Sequence, residues 1–113
     1  MSNQAQAEEV FDDATGDIAL GDLEAAIEKY RECVRLAPGY FDAWHALGMA
    51  LMKAGHYGDA IAAGLKTVEL NPNDQLAWSS LSLFYVRAGM IPEAESAGAK
   101  AKILGWGGKI KKG

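Results

Sequence analysis

Cysteine is nearly absent from the sequence, and this excludes two classes of structure. Cys33 is the one cysteine among 113 residues. A single thiol can form no intramolecular disulfide and cannot supply the cysteine cluster of a structural zinc site. A small disulfide-stabilised domain is therefore excluded, and an unpaired cysteine is compatible with a reducing compartment.

Long apolar runs are also missing. No stretch reaches about 18 consecutive apolar residues, so we expect no transmembrane helix and no membrane insertion. The N-terminal sequence MSNQAQAEEVFDDATGDIALGD lacks the basic segment and apolar run that are typical of a secretory signal peptide. A cytoplasmic location is the expectation that follows.

Proline and β-branched residues are few, whereas glycine is frequent. The chain has three prolines and 13 glycines, and alanine and leucine recur throughout. Apolar and polar residues never alternate for long enough to indicate a strand. Because half of the residues are hydrophobic and 23% are charged, the composition is that of one globular domain. We therefore expect helices joined by glycine-containing turns.

The charge is acidic overall and uneven along the chain. The net charge of −4 argues against nucleic acid as a partner. Nine acidic and two basic residues occur up to Glu32, whereas five lysines and no acidic residue occur from Lys100 onward. The C-terminal sequence KIKKG could contact an anionic partner, but a solvated lysine tail is the favoured interpretation.

The chain repeats itself at a constant interval of 34 residues along the sequence. Six series of identical residues keep the same interval: Trp44 and Trp78; Leu47 and Leu81; Gly21, Gly55 and Gly89; Ala26, Ala60 and Ala94; Leu36, Leu70 and Leu104; Pro38 and Pro72. Within each unit, two helix-like segments flank a glycine turn, and Asp22 is a plausible N-cap for the second helix of the first unit. Three units predict about six helices.

These units resemble the tetratricopeptide repeat in their length and in its pattern W-x₂-L-G-x₂-Y, then A-x₃-F, then P. The second unit supplies Trp44, Leu47, Gly48, Ala60 and Pro72; the third supplies Trp78, Leu81, Tyr85 and Ala94; the first supplies Ala26, Tyr30 and Pro38. The resemblance covers about residues 7–108. It implies an all-α fold, a right-handed α-solenoid of three helix-turn-helix units at about 7–40, 41–74 and 75–108. A flexible N-terminus, 1–6, is expected before them. A short basic tail, 109–113, is expected after them and leaves no room for a full capping helix.

The sequence departs from the family pattern in three places. The signature of the first unit's opening helix is replaced by Val10, Asp13, Ala14 and Asp17, so this helix is shifted, frayed or adapted as a cap. Gly64 and Gly98 replace the bulky aromatic residue of the second helix, which either permits close helix approach or weakens these helices by about 1 kcal/mol each. Trp106 stands in place of the closing proline.

The family resemblance implies a concave surface lined by the first helix of each unit. At about 100° per residue, His45, Met49 and Met52 share one helix face, opposite the repeating stripe that contains Trp44 and Leu47. The face equivalent to that of His45 is therefore the expected groove. The predicted groove residues are Phe11, Thr15, Ile18, His45, Met49, Met52, Lys53, Leu76, Ser79, Leu83, Val86 and Arg87.

A mostly apolar groove predicts a protein-binding scaffold with no enzymatic activity. An apolar or amphipathic peptide segment of another protein is the expected ligand, since adaptable methionines suit such a surface. Lys53 and Arg87 at the groove edge could pair with an acidic group. No catalytic motif or phosphate-binding loop is present, and Cys33, within a helix, is interpreted as a structural thiol.

Two other functions stay open. The last helix, EAESAGAKAKIL, is rich in alanine and glycine and must face water or another protein, so a dimer or a head-to-tail stack is one alternative. In such a stack its basic end would meet the acidic first unit of another copy. A small bacterial secretion-type chaperone is the other alternative.

Two further ligands are considered and not expected. The family variant that grips chaperone C-terminal tails uses a ring of Lys, Asn and Arg, but this chain has Phe11, Thr15, Ala46, Leu76 and Ser80 at those positions. His45, Met49 and Met52 are soft ligands on one helix face, yet a stable site needs more ligands, and His56 lies in the turn. We expect no metal and no cofactor.

Overall fold

The computed structural model describes residues 2–110, and six α-helices make up this part of the chain. They are α1 (Asn3–Ala19), α2 (Leu23–Leu36), α3 (Phe41–Lys53), α4 (Tyr57–Leu70), α5 (Gln75–Arg87) and α6 (Ile91–Gly105). The helices pack as the pairs α1–α2, α3–α4 and α5–α6, and successive pairs join through α2 with α3 and α4 with α5. The predicted all-α solenoid of three two-helix units is confirmed.

The turn inside each unit is made by the repeating glycine. Gly21, Gly55 and Gly89 have φ angles of +80°, +83° and +77°, in the left-handed region that side chains disfavour. The residue that follows each glycine donates its N–H to a carbonyl of the last helical turn; for example, the His56 N–H bonds the Leu51 carbonyl at 2.9 Å. The second helix can therefore turn back onto the first after very few residues.

The first unit is more regular than its sequence suggests. Helix α1 begins at Asn3, because the Ser2 hydroxyl accepts a hydrogen bond from the Ala5 N–H at 3.2 Å and caps it. Residues 3–6 of the predicted flexible N-terminus, 1–6, therefore belong to α1. Ala14 is fully buried at the position equivalent to Gly48, and Asp17 pairs with Lys29 at 2.8 Å. Lys111 and Lys112 of the predicted basic tail lie outside the described residues.

Phe84 joins the second and third units. Its ring lies so close to Gly48 and Gly64 that a Cβ atom added at either glycine would be 2.9–3.0 Å from a ring carbon. Of the two interpretations of Gly64, close helix approach is therefore correct. The same addition at Gly98 would meet only the Ser82 hydroxyl, at 3.4 Å, so α6 has no equivalent close neighbour in the described chain.

The predicted N-cap of α2 is also observed. The Asp22 carboxylate accepts a hydrogen bond from the Ala25 N–H at 3.2 Å, and Asp74 does the same for Ala77 at the start of α5, at 3.0 Å. Within residues 2–110, none of the helices combines the length and apolar content that crossing a membrane requires.

Candidate functional site

The candidate site is the face formed by the first helices of the three units. Helices α3 and α5 meet there, since the His45 Nε2 lies 3.0 Å from the Ser80 hydroxyl. The His45 ring also stacks on the Phe41 ring, with the centroids 6.3 Å apart and the planes 7° from parallel. His45 therefore has partners within the fold and is not a side chain waiting for a ligand.

Four apolar residues of the predicted groove are half-buried. Phe11, Ile18, Met49 and Leu83 pack against the main core cluster with one side and keep the other side accessible. Such residues are held in place by the core, so they present a preformed apolar surface. A partner would bury the remaining area without ordering these side chains first.

Two further apolar residues of the predicted groove lie open to solvent, on the third unit. Leu76 at the start of α5 is 58% exposed, and Val86 near its end is 50% exposed. Both are large apolar side chains that the described chain does not cover. Leu76 extends the accessible apolar surface toward the start of α5, whereas Val86 also lines a pocket between α5 and α6.

Met52 is the clearest error in the predicted groove. Only 9% of its surface is exposed, and its side chain belongs to the core cluster that contains Tyr30 and Leu51. The angular position on α3 placed Met52 beside Met49, but an angle on one helix does not tell how far neighbouring helices extend around it. The proposed soft-metal face of His45, Met49 and Met52 loses one of its three members to the core.

The polar groove residues differ in their environment. The Thr15 hydroxyl donates to the Phe11 carbonyl at 3.0 Å and lies 3.3 Å from the Tyr30 hydroxyl, so it is occupied within the first unit. Ser79 is exposed. Lys53 and Arg87 are also exposed, and neither forms a salt bridge within the described residues.

Lys53 lies beside a small apolar pocket. The pocket has a volume of about 220 Å³ and is lined by Ile18, Gly21, Leu23 and Lys53. A branched aliphatic side chain could enter it while a neighbouring acidic group pairs with the ammonium of Lys53. Leu23 could not be predicted from the position of a residue on a first helix, because it belongs to α2 and only the turn at Gly21 brings it to this edge.

The chaperone-tail positions carry no cationic side chain in the structure. Ser80 is buried and bonds His45, and Thr15 is engaged as described. Phe11, Ala46 and Leu76 are apolar. A ring that could surround a terminal carboxylate is therefore not assembled from these five residues.

Cys33 is enclosed by the first unit. It is fully buried, its thiol donates to the Ala7 carbonyl at 3.4 Å, and burial raises the pKa of the thiol to about 11. A thiol in this state is a packing group, since nucleophilic attack requires an accessible thiolate. Within residues 2–110, no three His, Cys, Asp or Glu side chains are grouped so that they could bind a metal ion.

Comparison with known proteins agrees with this architecture. The model of the family described as tetratricopeptide repeat matches residues 17–82. A crystal structure of MamA has a TM-score of 0.85 and 27% identity, over 89% of this chain and 59% of MamA. A second MamA structure has a TM-score of 0.82 and 28% identity, over 87% and 54%. The chain thus spans a little more than half of these relatives. No curated protein sequence matches it.

One similar structure contains a bound peptide. It is the second TPR of Spaghetti (RPAP3) bound to the HSP90 peptide SRMEEVD, with a TM-score of 0.83 and 22% identity, over 90% of this chain and 94% of that one. At this identity the likeness concerns the fold. Helical repeats of this kind are protein-interaction modules. The match to the family model covers more than half of the chain. The chain therefore belongs to the tetratricopeptide repeat family.

Proposed function

We propose that the chain binds an apolar or amphipathic peptide segment of another protein along the face of α1, α3 and α5. The observation that carries the proposal is the pair Met49 and Leu83. They occupy the same position in successive units, and both are half-buried with one side accessible. A repeated apolar position on adjacent helices offers two anchor points to one ligand.

The charges at the edge of this face indicate which peptide would fit best. Lys53 and Arg87 are again equivalent residues, in the last turns of α3 and α5. The Lys53 ammonium and the Arg87 guanidinium can each bond a carboxylate of a ligand, because neither forms a salt bridge with an acidic side chain of the described chain. We therefore propose a ligand with bulky apolar residues along its centre and acidic residues at the end beside Lys53 and Arg87.

The proposal can be tested with peptides selected from a random library displayed on phage. Selected peptides are synthesised, and their affinity is measured by calorimetry for the wild type, Met49→Glu and Leu83→Glu. Each substitution puts a carboxylate into the apolar contact, so we expect affinity to fall by at least about tenfold. Leu65→Glu is the matched control, because Leu65 is exposed on α4, a second helix.

The outcome depends on the contrast between these variants. Binding that survives in Met49→Glu and Leu83→Glu but is lost in Leu65→Glu would move the site to the second helices. Equal binding by all variants would also contradict the proposal. Circular dichroism melting of each variant separates a lost contact from a lost fold, and Lys53→Glu with Arg87→Glu tests the preference for acidic peptides.

A further inference from the structure

A pocket near the C-terminal end corresponds to the space that the Phe84 ring fills one unit earlier. It lies between α5 and α6 and has a volume of about 400 Å³. Its lining residues are Ser82, Val86, Ile91, Ala94, Glu95, Gly98, Ala99 and Lys102. Ser82 and Gly98 stand one repeat after Gly48 and Gly64, the two residues that Phe84 contacts. The pocket therefore lies on the face of the third unit that corresponds to the face of the second unit against which α5 packs.

The edges of this face differ from those of the internal joint. On α4, Ile61 and Val68 flank Gly64, and both pack into the core. On α6 the equivalent residues around Gly98 are Glu95 and Lys102. A small apolar centre with charged edges is the composition of a surface that is soluble when free and covered when associated.

Large apolar side chains stand at both ends of α6. Trp106 directly follows α6 and is 82% exposed, and Ile91 and Ile103 are also exposed. Trp106 makes no hydrogen bond through its indole N–H in the described chain, unlike Trp44 and Trp78. Trp106 stands four residues after Lys102, which lines the pocket, and an exposed tryptophan at such a position indicates a contact surface.

We propose that this face binds the same face of a second copy, with the two α6 helices antiparallel and related by a two-fold axis between Gly98 and Ala99. Residues equally distant from this axis then meet across the interface. Glu95 meets Lys102 of the second copy, and Ile91 meets Trp106 of the second copy. Two-fold symmetry produces each of these contacts twice.

The sequence of α6 is self-complementary in this arrangement. The charged pair joins an acid to a base, the outer pair joins two large apolar side chains, and the crossing point has only Gly98 and Ala99, which permit close approach. Ile103 of the second copy lies opposite Ala94, where it can enter the 400 Å³ pocket. Glu95 and Lys102 form no salt bridge within the described residues, so both are available to the second copy.

A head-to-tail stack fits the same pocket poorly. In that arrangement α1 of another copy would pack on α6 in the way that α5 packs on α4. The residue of α1 equivalent to Phe84 is Gly16, which has no side chain to fill the pocket, and the residues equivalent to Ser80 and Leu81 are Asp12 and Asp13. Attraction between the acidic α1 and the basic end of α6 would have to compensate for a pocket that stays empty.

Sedimentation equilibrium of the 12.0 kDa chain tests the proposal over a range of concentrations. Glu95→Lys alone and Lys102→Glu alone each place like charges opposite one another twice, so each variant should dissociate at concentrations at which the wild type is dimeric. An equimolar mixture restores both opposite-charge pairs and should recover the dimer. Glu93→Lys is the control, because it makes the same charge change on the face of α6 that meets Trp78.

Each result has one meaning. We expect the dimer dissociation constant to rise at least about tenfold in either charge variant and in Trp106→Ser. In the equimolar mixture of the two charge variants it should return to the wild-type value. A wild type that stays monomeric up to about 1 mM overturns the proposal, as does dimerisation unaffected by the charge variants. Masses that grow beyond the dimer with concentration would instead indicate head-to-tail stacking and overturn the two-fold arrangement.

Discussion

The indole N–H of Trp44 donates a hydrogen bond to the Pro38 carbonyl at 2.7 Å, and so α3 is fastened to the segment that leaves α2. The same bond occurs one repeat later, from Trp78 to the Pro72 carbonyl at 2.8 Å. Proline ends the helix, and its carbonyl is then available for a side chain of the next unit. The recurrence of tryptophan and proline at one interval thus has a physical cause in the joint between units.

Replacement of these tryptophans by phenylalanine should weaken the joints. Trp44→Phe removes the N–H donor and should lower the free energy of unfolding by about 1 kcal/mol. Trp78→Phe should cost more, because the Lys100 ammonium lies 4.7 Å from the Trp78 ring centroid and also loses a stronger cation–π partner. Urea denaturation followed by far-ultraviolet circular dichroism measures both variants.

Trp106→Phe is the matched control for this comparison. Trp106 is exposed and its indole N–H has no acceptor within the described residues, so the change in stability should stay within about 0.5 kcal/mol at low protein concentration. A loss for Trp106→Phe as large as that for Trp44→Phe would mean that the bond to Pro38 is not the source of the effect.

The helical glycines Gly64 and Gly98 should respond oppositely to alanine. At Gly64 the added methyl group would be 3.0 Å from both Leu81 and Phe84, so the helices must separate, and we expect a loss of about 1–3 kcal/mol. At Gly98 the nearest atom is 3.4 Å away, and higher helix propensity should add up to about 1 kcal/mol. Thermal melts at a concentration that keeps the chain monomeric distinguish the two; equal effects would contradict the contact with Phe84.

The turn glycine Gly55 should not tolerate alanine. Its φ of +83° places any side chain in a strained conformation, although no atom lies within 4 Å of an added Cβ. We expect Gly55→Ala to destabilise the fold by about 1–2 kcal/mol. Gly58→Ala, in the first turn of α4 and equally free of neighbours, should instead be neutral or slightly stabilising. A neutral Gly55→Ala would show that the turn can adopt another conformation.

Most of the fold could be predicted because the repeat supplies each structural element several times. The constant interval set the register, the glycine series indicated the turns, and the tryptophan stripe indicated the core side of α3 and α5. The first unit was harder, since α1 lacks the signature residues. Asp17 stands where Leu51 and Tyr85 occur, and only the ion pair with Lys29 explains how a carboxylate is accommodated there.

The candidate site could be predicted only as a face. Single-helix geometry placed Met49 and Met52 together, but tertiary packing covers Met52 and leaves Met49 half-buried. The role of Phe84 was not visible either, because the equivalent residue of the second unit is Ala50 and the repeat therefore gives no aromatic signal there. Its partner glycines, Gly48 and Gly64, were the available sign, and their significance needs the distance between α3, α4 and α5.

Cys33 provides a test of the packing of α1 on α2. The thiol is fully buried and donates to the Ala7 carbonyl, so the folded chain should not react with an aromatic disulfide reagent at pH 8. Reaction should occur at the rate of local or global opening and become fast in urea. Rapid labelling in the absence of denaturant would mean that α1 detaches from α2 readily.

The same thiol should make stability depend on pH in the alkaline range. Its pKa rises from the ordinary value of 9.0 to about 11 on burial, so the folded state favours the protonated thiol. This contribution is complete below pH 9, where both states are protonated, and it is lost as the pH rises from 9 through 11. Because tyrosines and lysines titrate in the same range, the measured quantity is the difference between the wild type and Cys33→Ala. We expect that difference to change by on the order of 2 kcal/mol between pH 8 and pH 11, as the wild type loses stability faster. Parallel pH profiles for the two proteins would mean that the thiolate is solvated in the folded state, contrary to the burial of Cys33 between α1 and α2.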